Sequence, residues 1–86
     1  MFVILSYDVV AKRNRKVLRT CRRYLTHVQK SVFEGYISDR QLCKLKKELV
    51  ELIDHETDQV AIYEYHKGTE ITKEVIGYHI TTDNVV

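Results

Sequence analysis

Eighty-six residues, 44% apolar and 30% charged, describe one small folded domain, 1–86, rather than a disordered chain. A chain of this size buries only about 60 to 65% of its surface on folding, so its core is thin and a subunit interface is expected. No apolar run approaches the roughly 20 residues of a membrane span, and residues 2–5 are too short for a signal peptide's hydrophobic region, which points to a cytoplasmic protein with no membrane partner.

The net charge of +2 conceals a strong asymmetry. Residues 1–33 carry Lys12, Arg13, Arg15, Lys16, Arg19, Arg22, Arg23 and Lys30 against Asp8 alone, a net +7, whereas residues 34–86 carry 6 bases and 11 acids, a net −5. Solvated faces usually mix signs. A basic half of this density suits a polyanion such as RNA or DNA, because each phosphate it neutralises releases counterions.

Residues 2–8 (Phe-Val-Ile-Leu-Ser-Tyr-Asp) open the chain with a bulky apolar run ending on a carboxylate. Without strict alternation it reads as the central strand of the only sheet, covered on both faces. Asp8 then stands at the strand exit, immediately before the most basic segment, where it either caps a turn or does chemistry. Residues 9–14 form a short connection without Gly or Pro, and a helix follows over about 13–25. Val17, Leu18, Cys21, Tyr24 and Leu25 make its apolar stripe, leaving Arg15, Arg19, Arg22 and Arg23 on another face.

Residues 27–37 are rich in β-prone bulk. A single strand here would give an all-parallel sheet; a reversal near Lys30-Ser31 gives an antiparallel hairpin inside a βαββαβ order, which is the preferred reading although no Asn-Gly or Asp-Gly marks the turn. Ser38 and Gln41 stand at the spacing of a capping box, so a second helix starts there with Leu42, Leu45, Leu49, Leu52 and Ile53 inward. Residues 59–65 form a strand with both faces occupied, and 66–73 form a loop. Residues 74–80 are a further strand, added to the edge of this sheet or to a second subunit, with a tail to 86.

Cys21 and Cys43 lack metal-binding or redox spacing and read as reduced thiols. His27, His55, His66 and His79 include no i, i+4 pair that a zinc site would use, and no phosphate-cradling glycine loop is present. Ser6 and Ser31 have no base adjacent in sequence. Asp8 remains the candidate metal ligand, and magnesium (or manganese) accepts one or two carboxylates while keeping waters. A twofold axis near Asp8 would complete such a site from two copies. Tyr7 alternates away from Asp8 toward the core, while Phe33 and Tyr36 are candidates for base stacking as well as for strand packing.

The Tyr-Asp strand end, the basic helix, the string Val28-Gln29-Lys30-Ser31-Val32-Phe33-Glu34-Gly35, the capped second helix and Val60-Ala61-Ile62-Tyr63 together resemble the CRISPR-associated protein two family, the small subunit of spacer acquisition. The resemblance covers about residues 2–77. It implies an α+β, ferredoxin-like βαββαβ homodimer with an extra C-terminal strand crossing to the partner subunit. It also implies a divalent-metal nuclease site at paired Asp8 residues and an adaptor role beneath DNA held by a partner integrase. Asp8 matches the family's metal-binding acid and Tyr7 its neighbour, which makes both candidate catalytic residues. Arg13 and Arg15 match a basic pair, and Ser31 and Phe33 match the second motif. His27 stands where many relatives have Arg, an imidazole in place of a permanent charge.

Three functions follow: a metal-dependent endonuclease acting on RNA or DNA, a non-catalytic DNA-binding adaptor, and a regulatory module that binds protein through its sheet edge. The resemblance supports the first two together, with Lys12, Arg13, Arg15, Lys16, Arg19, Arg22, Arg23, His27, Lys30, Ser31 and Phe33 as the nucleic-acid contacts.

Overall fold

The computed structural model describes residues 1–68 and 70–78. In chain order these form β1 (Phe2–Asp8), α1 (Ala11–Arg22), β2 (Thr26–Gln29), β3 (Val32–Tyr36), α2 (Asp39–Leu52), β4 (Gln59–Tyr65) and β5 (Ile71–Gly77). The sheet order is β2-β3-β1-β4-β5 and every neighbour is antiparallel. The first six elements are the ferredoxin-like βαββαβ arrangement, with β5 added outside β4. The reversal at Lys30-Ser31 is present, and it closes without a glycine because the His27 ring Nε2 donates to the Lys30 carbonyl at 2.9 Å while a register shift lies between His27 and Gln29.

β1 is central, but among the described residues the helices cover only one of its faces. Val3, Leu5 and Tyr7 are buried against the helical layer, whereas Phe2, Ile4 and Ser6 are half-buried and Asp8 is exposed. The bulk that reads as two-sided burial belongs instead to an apolar second face with no helix on it. Directly opposed residues extend that face across the sheet: Tyr36, Glu34 and Val32 on β3, Tyr65, Tyr63, Ala61 and Gln59 on β4, and Ile71, Lys73 and Val75 on β5.

The helices show where packing overrides pattern. α1 starts earlier than expected and ends at Arg22, because the amides of Tyr24 and Leu25 both turn back onto the Cys21 carbonyl at 3.0 and 2.9 Å. Leu25 still fills the core from just beyond the helix. α2 begins as its sequence dictates: Ser38 Oγ accepts the Gln41 amide at 3.1 Å and the Gln41 side chain returns to the Ser38 amide, so the capping box is complete. Leu42, Leu45 and Leu49 face inward. Lys46 leaves the same helix to bridge Glu64 on β4 and Glu74 on β5, at 3.0 and 2.6 Å.

The last strand begins three residues before its expected start and ends three before its expected end. Tyr65 pairs with Ile71, so the connection is only residues 66–70, closed by the His66 amide on the Glu70 carbonyl at 2.9 Å. Residues 71–77 pair with β4 of the same chain; the expected strand's residues 79–80 and the tail 81–86 lie outside the described residues. β5 stops at Gly77, whose φ of +95° turns the backbone so that the Tyr78 amide donates to the Asp58 carbonyl at 2.8 Å.

A Cβ at Gly77 would stand well inside van der Waals contact of that carbonyl, in a backbone region that side chains rarely adopt. Gly77→Ala is therefore expected to destabilise the fold by about 1 to 3 kcal/mol, read as a fall in Tm of several degrees in a thermal melt. An unchanged melt would show that the Asp58–Tyr78 contact does not hold β5.

Candidate functional site

Four segments meet at the end of the sheet where β1 stops. The β1–α1 connection leaves from Asp8, the β2–β3 turn lies alongside through the Tyr7 amide donating to the Ser31 carbonyl at 3.1 Å, and the α2–β4 connection arrives at Gln59, the ladder partner of Asp8. β5 ends there as well, since Gln59 faces Gly77. Asp8 is exposed at this meeting point on the helix-free face. A shallow cavity of about 330 Å³ lined by Gln29, Lys30, Ser31 and Val32 opens beside it.

Strand alternation that exposes Asp8 buries Tyr7. Its ring stacks on Phe33 with centroids 6.2 Å apart, and its hydroxyl has no hydrogen-bond partner among the described residues. Burial raises the phenol's pKa, and the neighbouring Cys21 adds to the rise. The phenol lies in the core on the opposite face from Asp8, so the structure does not bring the two expected catalytic residues together. Phe33 is fully buried between Tyr7 and the His27 ring, on which it stacks with centroids 4.6 Å apart. Cys21 is a core thiol, pushed up to about 12 by burial.

The bases divide into two groups. Lys12, Arg15, Lys16, Arg19 and Arg22 are exposed along α1, with Lys30 exposed on the β2–β3 turn and Ser31 half-buried next to it. Arg23 is exposed but paired with Glu48, whose second oxygen accepts from the Tyr24 hydroxyl at 2.5 Å. His27 is half-buried and holds the Lys30 carbonyl. Arg13 is placed differently from the other bases of α1: its side chain is 18% exposed and its guanidinium pairs with Asp58, with Nε 2.5 Å from Oδ2.

Asp58 is the residue that sequence reasoning missed. Its side chain is fully buried, and its carboxylate accepts from the amides of Val10 and Asp54, from the Thr57 hydroxyl and from two nitrogens of Arg13. Arg13 first, helped by these amides and the hydroxyl and opposed by desolvation, holds this carboxyl well below the usual carboxylate range. In sequence it is one of three acids within five residues, Asp54, Glu56 and Asp58, and nothing in the pattern singles it out. Among the described residues no three His, Cys, Asp or Glu side chains come together as a metal-binding group, and no helix is long and apolar enough to cross a membrane.

The family model described as "CRISPR associated protein Cas2" matches residues 1–72. A protein of Moorella thermoacetica named CRISPR-associated endoribonuclease Cas2 2 is 39% identical over 80 residues, covering 86% of this chain and 88% of its own. The Frankia alni CRISPR-associated endoribonuclease Cas2 is 42% identical over 77 residues, covering 90% and 88% respectively. Among solved structures, Streptococcus pyogenes Cas2 at pH 6.5 superposes with a TM-score of 0.71 at 34% identity, over 79% of this chain and 89% of that one.

Two outcomes follow from the buried groups. Tyr7→Phe removes a hydroxyl that satisfies nothing, so the variant is expected to melt at or above the wild-type temperature, by up to about 1 kcal/mol of stabilisation; a clear loss of stability would reveal a partner for that hydroxyl. Because the Asp58 pKa is depressed in the folded state, its stabilising contribution is present above an unfolded carboxyl's pKa of about 3.9 and is lost as pH falls below that value. The difference in unfolding free energy between wild type and Asp58→Asn should therefore be largest near pH 6 and shrink toward pH 2, measured by urea titration across pH. A constant difference would deny that the charge matters.

Proposed function

Because the chain belongs to the CRISPR associated protein Cas2 family, we propose that it acts in spacer acquisition as a nucleic-acid-binding homodimer that docks a partner integrase subunit and carries a divalent-metal-dependent endonuclease centre at two Asp8 carboxylates. The observation that carries this reading is the position of Asp8, an exposed acid at one end of a largely apolar sheet face that no helix covers among the described residues. On that face Tyr36 is 82% exposed and Ile71 55%, with Phe2 packed edge-on to Tyr36 and Tyr65 at 5.0 and 5.9 Å. Apolar surface of this kind supports a second copy as its cover, and a twofold pairing presents the same residues from both sides.

The donor chemistry of Asp8 fits a hard cation that keeps most of its waters, with one carboxylate from each chain. When bound, Mg²⁺ or Mn²⁺ supplies Lewis-acid stabilisation of a phosphodiester and a more acidic water. The chain's own residues do the remaining work. Lys12 and Arg15, in the first turns of α1, and Lys30, on the neighbouring turn, attract the phosphate backbone toward Asp8 from two sides. The amide and hydroxyl of Ser31 lie on the same turn. The names of the relatives support RNA as a substrate.

Asp8→Asn should lower metal-dependent cleavage of single-stranded RNA by at least about a hundredfold while leaving Tm, dimer mass and nucleic-acid affinity in place. Cleavage at the wild-type rate by a nuclease-free preparation of that variant would remove the catalytic centre. The exposed α1 ridge favours a second reading, a DNA-holding adaptor. Arg19→Ala with Arg22→Ala is expected to lower the slope of log affinity against log salt by about 1.8 on duplex DNA, roughly 0.9 for each phosphate no longer neutralised. An unaltered slope would sink the ridge as a nucleic-acid surface.

A further inference from the structure

We propose that Asp58 is a positioning residue for the Asp8 carboxylate, acting through the Val10 amide and the Arg13 guanidinium; the inference rests on the reading of Asp8 as the reacting acid. Asp58 holds the chain just after Asp8 and stands next to the residue that faces Asp8 across the ladder. Its Oδ1 accepts the Val10 amide at 3.0 Å, two residues after Asp8, and its own backbone continues into Gln59, the residue opposite Asp8 in the β1–β4 ladder. Only Val9 lies between Asp8 and the fixed Val10. Little slack is left.

Arg13 completes the clamp. Its Nε reaches Oδ2 at 2.5 Å and its Nη2 reaches Oδ1 at 3.3 Å and the Thr57 hydroxyl at 3.3 Å, so the first turn of α1 is tied to the loop before β4 by a fork of donors. A fully buried carboxylate is expensive to desolvate, and closing the 54–58 turn does not require it, because the amides of Thr57 and Asp58 already reach the Asp54 carbonyl at 3.1 and 2.8 Å. The carboxylate instead joins three segments: α2–β4, β1–α1 and the start of α1. Arg13 and Arg15 thereby separate in role, with Arg13 turned inward to hold the frame and Arg15 outward to solvent.

The test uses the full chain in its native assembly, with Mg²⁺ and single-stranded RNA and DNA oligonucleotides. Asp58→Asn and Arg13→Gln are each expected to reduce turnover about ten- to a hundredfold, as partners behind a ligand typically do, with KM and the salt slope of binding unchanged. The double variant should fall no further than the worse single one, because both break the same link. Backbone amides of residues 9–12 should exchange hydrogen faster in Asp58→Asn while those of α2 and β3 keep wild-type rates. Arg13→Lys, which keeps the charge but loses the fork, should show a smaller fall of the same kind, and it carries the test if Asp58→Asn does not fold. The inference is overturned if Arg13→Gln or Arg13→Lys weakens nucleic-acid binding and lowers the salt slope by about one while Asp58→Asn turns over normally, since Arg13 would then be a phosphate ligand. Should cleavage survive Asp8→Asn, the catalytic reading fails on its own; the clamp is then decided by exchange at residues 9–12, where wild-type rates in a folded Asp58→Asn or Arg13→Lys protein would overturn it and faster exchange would support it.

Discussion

The structure depends on a single constraint: both helices pack on the same face of a five-stranded sheet. An antiparallel sheet tolerates one wet face when that face is polar. Here it is only partly so: Ser6, Glu34, Gln59 and Lys73 share it with Phe2, Ile4, Tyr36, Tyr63, Tyr65 and Ile71, which stand on it in register. The helical layer fixes the chemistry as well, because side chains alternate along β1. Setting Val3, Leu5 and Tyr7 into the core sends Asp8 to the apolar side, and a slip of one residue would exchange every one of these positions. The candidate acid is therefore placed by the same packing that leaves its face uncovered.

A second, smaller constraint acts on the Asp8 end. The ion pairs of this fold differ widely in how much they can hold. Lys46 reaches Glu64 and Glu74 from a partly exposed position, and exposed or half-exposed pairs contribute at most about 1 kcal/mol. Asp58 and Arg13 differ in kind, since the carboxylate is wholly inside and takes hydrogen bonds from three segments of chain. Breaking one partner of such a pair leaves a buried charge uncompensated, which costs about 3 to 5 kcal/mol. Its carbonyl, meanwhile, receives the Tyr78 amide, so one residue fastens the exit of β1, the start of α1 and the end of β5.

What the sequence discloses follows from how local each signal is. The Ser38–Gln41 cap is a three-residue contact and is legible letter by letter. The hairpin at Lys30-Ser31 is legible only through topology, because its closure uses a histidine ring and a register shift that no turn motif announces. The two-sided reading of β1 fails for a physical reason: bulky residues on the second face, Phe2 and Ile4, sit half-buried against aromatic neighbours on the flanking strands, so the composition matches that of a strand between two helical layers. β5 begins at Ile71 because β4 offers partners as far as Tyr65, and strand length is set by the neighbour rather than by the residues themselves. Arg13 is indistinguishable from Arg15 in sequence, and only the buried Asp58, 45 residues away, separates them.

On the proposed reading, the division of the bases bears on how one small chain would both hold and cut nucleic acid. α1 runs back from the Asp8 end for 12 residues, about 18 Å at 1.5 Å per residue. Lys12 and Arg15 lie in its first turns with Lys30 across from them, close to the acid; Arg19 and Arg22 lie in its last turns. A phosphate backbone following the whole ridge is held mainly by charges too distant to touch a phosphodiester at Asp8, and beyond about one Debye length, roughly 8 Å in physiological salt, they act on it weakly. Holding would therefore fall to the far end of α1, and cutting to Asp8 at the end of β1 with the bases of the first helical turns beside it. On that reading the far arginines would supply affinity over any sequence, while Lys12, Lys30 and Arg15 would decide whether a strand is brought round the end of the sheet to the face where Asp8 stands. A member of this fold that lost its acid would keep the ridge intact, and one that lost the ridge would keep a centre with little to bring substrate to it.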